Sequence, residues 1–241
     1  MNKNIDGVGE VTAPATPKEK VQNFWYHYKW HSLVALVVII ATLVCSLQFC
    51  SREKYDAYVL YAGSKNIGRT TSDGDVAEIS KVISAVKRVT GDFDGNGTVS
   101  LSFTNYYYLS ADEATDATDV NEALAATDKK QLSSVLEHSE YYLLFISKAV
   151  YNEYHKVGDE ELFIDLTPYA EYNTEAEYYA QNAILLSSLD FYSFPGLSAL
   201  PEDTLICIRR TSVIGGKSKE HVKYLENAKT MLINILEYNI D

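Results

Sequence analysis

Cysteine is scarce in this chain: three in 241 residues, and two of them, Cys45 and Cys50, fall inside one apolar run. Cys207 is left alone in the remainder, so no disulfide can cross-link that part. A stretch as long as 55–241 can bury a sufficient core without one. Cys207 lies in the apolar run TLICIRR, which predicts a packed thiol rather than a reactive one. Basic residues are also few, 21 Lys and Arg against 33 Asp and Glu, for a formal charge of −12. That balance excludes a nucleic-acid partner, because phosphate binding needs clustered cations. The sequence has no nucleophile elbow, no HExxH and no CxxC. Its five histidines are scattered, with His27 and His31 flanking the apolar run and His138, His155 and His221 isolated. IGGKS at 214–218 resembles half of a phosphate loop, but Thr211 stands where that loop needs its first glycine. The stretch reads instead as a glycine turn with Ser218 capping the last helix. With no catalytic motif, the expectation is a protein that is not an enzyme.

Charge is missing altogether between Ser32 and Ser51. Twenty helical residues span roughly 30 Å, the thickness of a bilayer core. The eleven Leu, Val, Ile and Phe residues in that run favour insertion by roughly 3 to 7 kcal/mol. Phe24, Trp25, Tyr26, Tyr28 and Trp30 precede it as an interfacial aromatic belt. The run therefore predicts a single transmembrane helix with membrane lipid as its surroundings. It begins some thirty residues in, without small residues at its exit, which favours an uncleaved signal anchor over a cleaved signal peptide. Lys18, Lys20 and Lys29 before it balance Arg52, Lys54 and Lys65 after it, so flanking charge does not set the orientation. Long domains translocate largely regardless of charge, so the expected arrangement places the N-terminus in the cytoplasm and the C-terminal domain outside the cell membrane.

Residues 1–17 lack periodicity and read as a disordered tail. Residues 18–51 form the juxtamembrane aromatic segment and the span, and 55–241 an extracytoplasmic domain. In that domain strand and helix patterns alternate. Tyr55–Ala62 reads as a strand. A helix follows from Asp75, striped by Val76, Ile79, Val82, Ile83 and Val86. Val99, Leu101 and Phe103 alternate with serines in a half-buried strand. A helix carries Leu132, Val135 and Leu136. YYLLFI at 141–146 reads as a strand covered on both faces, and Ser147 as the cap of a helix carrying Val150 and Tyr154. Further strands are expected at Leu162–Leu166, Ala183–Leu186 and Thr204–Ile208, and an amphipathic helix from Ser218 onward. The fold class is α/β: one N-terminal transmembrane helix, then an α/β domain with a mostly parallel sheet.

The order DAYVLYAG, helix, strand, helix, YYLLFIS, then KVGDEELFIDLTPYAE resembles one lobe of extracellular solute-binding proteins. NFWYHYKWH before one span, a D-x-D-x-N-G loop and LPEDTLICIRR together resemble single-span membrane proteins of Gram-positive bacteria whose function is uncharacterised. The resemblances imply a membrane-anchored extracytoplasmic binding or accessory protein with a protein or glycan partner at the cell surface. The chain is too short for a second full lobe. The alternative is an extracytoplasmic hydrolase of cell-wall or glycan material.

One stretch points to a metal. In GDFDGNGTVS, Asp92, Asp94, Asn96, the Thr98 carbonyl and Ser100 occupy positions 1, 3, 5, 7 and 9 of a calcium loop, and Gly97 its turn position. Position 12, which should be a bidentate glutamate, is Phe103. Two readings therefore stand: a weak calcium site completed by a carboxylate from elsewhere, such as the 112–119 stretch, or a helix-to-strand turn. The tyrosines at 106–108, 141–142, 178–179 and 192 fit a binding groove or half-buried strands. FYSFPGLSAL at 191–200 reads as an exposed apolar loop.

Overall fold

The computed structural model describes residues 16–50, 54–67, 77–110, 122–211 and 218–239. The tail at 1–15, the acidic stretch at 112–119 and the glycines of IGGKS lie outside them. The chain divides into two compact units, residues 1–54 and 55–241.

The first unit contains helix α1, Pro17–Cys50. Its stretch Tyr28–Ser46 is long and apolar enough to cross a membrane, and none of it is buried within the protein. A membrane anchor and a signal sequence share these properties. Leu33, Val37, Ile40 and Val44 are exposed, and so are Val34, Val38 and Leu43; a helix apolar all round has no single face to turn toward a protein core. Two hydroxyls inside the stretch bond within the helix, Thr42 Oγ1 to the Val38 carbonyl at 2.8 Å and Ser46 Oγ to that of Thr42 at 2.7 Å. Such back-bonding makes hydroxyls tolerable in lipid.

The second unit is built on one sheet. Strands β1 (Ala57–Gly63), β2 (Leu101–Tyr107), β3 (Leu143–Ser147), β6 (Tyr178–Ala180), β7 (Ala183–Leu185) and β8 (Thr204–Ile208) lie in the order β2-β1-β3-β8-β7-β6. A separate hairpin pairs β4 (Lys156–Val157) with β5 (Glu160–Glu161). Helices α2 (Ala77–Val89) and α5 (Lys219–Leu236) contribute to the core on one face, and α3 (Glu122–His138) and α4 (Lys148–Tyr154) on the other. Alternation along the strands feeds both layers. Val59, Tyr61, Leu143, Phe145, Ile206 and Ile208 point into the first, and Leu60, Ala62, Leu144, Ile146, Leu205 and Cys207 into the second. Two covered faces explain why these strands read as unbroken apolar runs. Ser147 caps α4 and Ser218 caps α5 as the sequence predicts, accepting from the Val150 and His221 amides at 3.3 Å each.

The expected mostly parallel sheet is corrected to a mixed one. β2, β1 and β3 run parallel, while β8, β7 and β6 join antiparallel. Helices connect β1 to β2 and β2 to β3, as parallel neighbours require. Only Gln181 and Asn182 separate β6 from β7, a hairpin connection that permits no other direction. Leu162–Leu166 is not a strand; it makes a single bridge, Phe163 to Arg209. FYSFPGLSAL is a run of short 3₁₀ turns rather than an exposed loop, with Phe191, Leu197 and Leu200 fully buried. Cys207 is buried in the second layer, and that burial pushes its thiol pKa well up, as expected for a packed group.

Candidate metal centre

The 91–100 loop joins α2 to β2, and its own side chains set its shape. Asp92 turns its carboxylate inward: Oδ1 accepts from the amides of Gly95 at 2.8 Å and Asn96 at 3.1 Å, and Oδ2 from Gly97 at 2.8 Å. Gly95 and Gly97 sit at φ of 76° and 84°, in the left-handed region that side chains disfavour. Asp94 accepts from the Asn96 amide at 2.9 Å and from its side-chain nitrogen at 2.7 Å. Asn96 Oδ1 in turn accepts from the Thr98 amide and hydroxyl at 2.8 and 2.5 Å.

Beneath the loop lies a residue the sequence motif does not include. Asp56, 1% exposed at the entrance to β1, is brought opposite Ser100 by the register that pairs Ala57 with Leu101. Its Oδ1 accepts from the amides of Phe93 at 2.8 Å and Asp94 at 3.0 Å; its Oδ2 accepts from the Ser100 amide and hydroxyl at 2.8 and 2.9 Å. The Asp56 carbonyl is held by Asn227 of α5 at 2.7 Å. Burial pushes the Asp56 pKa up, but the bonds from Ser100, Asp94 and Phe93 outweigh it and hold the carboxyl below its ordinary value.

One carboxylate oxygen each from Asp56, Asp92 and Asp94 lie within 4.8 Å of one another. Among the described residues no Lys or Arg pairs with any of the three. A carboxylate offers about four lone-pair sites. On that count Asp56 is filled by protein donors, Asp92 keeps one site and Asp94 two. The structure thus places Asp92, Asp94 and Asn96 in one loop, bonded to one another's side chains and amides. It turns the Ser100 hydroxyl toward Asp56 and leaves Thr98 exposed. Phe103, at position 12, lies in β2. Asp56 carries one sequence signal, an acid directly before an apolar strand, and that signal gains meaning only once β1 and β2 are known to be neighbours.

No family model, curated protein or solved structure matches the chain.

Proposed function

We propose that this chain is a membrane-tethered binding or accessory protein, with α1 as the tether and the 55–241 unit outside the cell. The observation that carries the reading is the Tyr28–Ser46 stretch of α1, long and apolar enough to cross a membrane and followed by an α/β unit with its own two-layered core. A helix of that composition is stabilised by lipid rather than by packing against protein. The exterior assignment follows from the readiness with which long domains translocate.

Thr174 is exposed, and Cys207 is buried away from reagents. In a background with Cys45 and Cys50 replaced by alanine, Thr174→Cys is expected to react with a membrane-impermeant maleimide in intact cells. Labelling that appears only after lysis would place the unit inside.

In the same reading the 92–100 loop takes calcium, with Asp92 and Asp94 as charged ligands, the Thr98 carbonyl as a further oxygen, and Asp56 fixing the backbone beneath; Asn96 Oδ1 and the Ser100 hydroxyl, bonded here to Thr98 and Asp56, join only by giving up those bonds. The lack of a bidentate glutamate sets the expected affinity in the weak extracellular range, a Kd of about 10⁻⁴ to 10⁻³ M. Calorimetric titration of the detergent-solubilised full chain should show saturable heat with millimolar calcium, abolished by D92N/D94N. Absence of heat in the unaltered protein ends the calcium assignment and leaves the tether untouched.

A further inference from the structure

A second concave site lies at the far end of β8 from its first residue. It is a cavity of about 480 Å³ whose lining includes Tyr151, Glu161, Phe163, Asp165, Asn182 and Arg210. Its size is that of small-molecule sites. The α4 residue Tyr151 forms the aromatic wall, stacked with His155 at 5.2 Å and Phe163 at 5.8 Å between ring centres, with Tyr179 edge-on at 5.5 Å. The wall is pinned by a chain of bonds. The Tyr151 hydroxyl donates to Asn182 Oδ1 at 2.5 Å, Asn182 Nδ2 donates to Glu161 at 3.2 Å, and Glu161 pairs with Lys156 at 3.5 Å. Burial, with the nearby Cys207, Glu161 and Tyr179, pushes the Tyr151 pKa up to about 12, so the phenol stays a neutral donor. The wall is therefore rigid, and Glu161 and Lys156 answer each other's charge.

Two charges on the rim are not answered in this way. Arg210 is exposed; its backbone amide bonds to the Leu162 carbonyl at 2.8 Å, and its guanidinium has no ion-pair or hydrogen-bond partner among the described residues. Asp165 takes bonds from Thr167 on Oδ1, at 2.9 and 2.7 Å, and among the described residues no group bonds to Oδ2. A guanidinium fork is matched by a carboxylate, and an open carboxylate oxygen by an ammonium. A ligand with only one charge would satisfy one of them and leave the other unanswered.

We propose that this cavity binds a small zwitterion carrying one carboxylate and one ammonium group, of amino-acid or dipeptide size, with Arg210 taking the carboxylate, Asp165 the ammonium, and the Tyr151–Phe163 wall the side chain. The assignment goes beyond the tether reading and does not depend on which side of the membrane the unit occupies.

The test uses the full chain in detergent and calorimetry with L-tyrosine, L-glutamine and glycyl-L-tyrosine, alongside N-acetyl and C-amide derivatives of the dipeptide. At least one free zwitterion should bind, with either blocked form weaker by about tenfold or more. Arg210→Met should weaken the free form and abolish its advantage over the C-amide. Asp165→Asn retains an oxygen for Thr167 and should abolish the advantage over the N-acetyl form. Near-ultraviolet circular dichroism confirms that both variants keep the fold. No binding of any of the three at about 10 mM, or binding indifferent to blocking and to both substitutions, overturns the proposal.

Discussion

Arg209→Met is expected to lower the unfolding free energy by about 2 to 4 kcal/mol. Arg209 is the largest fully buried side chain, 1% exposed at the end of β8, and no carboxylate pairs with it among the described residues. Main-chain oxygens answer its charge instead. Nε donates to the Tyr141 carbonyl at 3.1 Å, Nη1 to that of Glu137 at 3.1 Å, and Nη2 to that of Ser139. The guanidinium carbon stands 4.6 Å from the centre of the Tyr142 ring. Glu137 and Ser139 belong to the last turn and exit of α3, where orphan carbonyls carry the negative end of the helix dipole. One planar cation thus caps α3 and holds the 137–141 turn against β8. Burial lowers the Arg209 pKa, partly offset by Tyr142, in accord with a charge desolvated against carbonyl dipoles. Methionine fills similar space but leaves three carbonyls without their donor. Arg209→Lys should fare little better, because one ammonium cannot reproduce a fork aimed at three oxygens. Urea titration followed by tyrosine near-ultraviolet dichroism measures both variants. A lysine variant as stable as the parent would show that charge matters here and fork geometry does not.

Asp56→Ala is the second large effect, expected to cost about 2 to 4 kcal/mol and to free the 91–100 loop. Three amides and one hydroxyl converge on this carboxylate, and alanine leaves the amides to find water from a partly closed site. Asp56→Asn should cost about half as much. Its oxygen can still serve Phe93 and Asp94, but its amino group then faces the Ser100 amide, donor against donor. The pH dependence has a definite sign. A carboxyl whose folded pKa is depressed contributes stability that is fully present above its unfolded pKa of about 3.9 and is lost as pH falls through the folded value. Acid below that point should therefore loosen the parent loop, and the alanine variant should lack this contribution to the acid transition. Limited proteolysis between 91 and 100, with fragments identified by mass, reads the loop directly. If the alanine variant resists cleavage as well as the parent, Asp56 is not what holds the loop.

Neither residue was legible in the sequence as a structural device, and the reason is distance along the chain. Ser100 lies 44 residues from Asp56, and the Glu137 carbonyl 72 residues from Arg209. Only strand pairing brings these groups together. In the sequence Arg209 follows the apolar TLICI, and Asp56 falls inside the stretch Tyr55–Ala62 read as a strand. The loop's own side-chain bonds span five residues or fewer, which is why the D-x-D-x-N-G spacing announced a tight, carboxylate-lined turn.

What the sequence determined by itself was local. The uncharged run from 32 to 51, the strands read at 55–62, 141–146 and 204–208 and observed at 57–63, 143–147 and 204–208, the helices capped by Ser147 and Ser218, and the turn at 92–97 all follow from composition and period over a few residues. The tertiary structure alone decided strand direction, the inward packing of 191–200, and the neighbours of Asp56, Arg209 and Arg210. An apolar run covered on both faces looks the same whichever way its neighbour runs, because hydrophobic burial has no direction. Hydrogen bonds do have direction, and here the decisive ones join segments that only the completed sheet brings into contact.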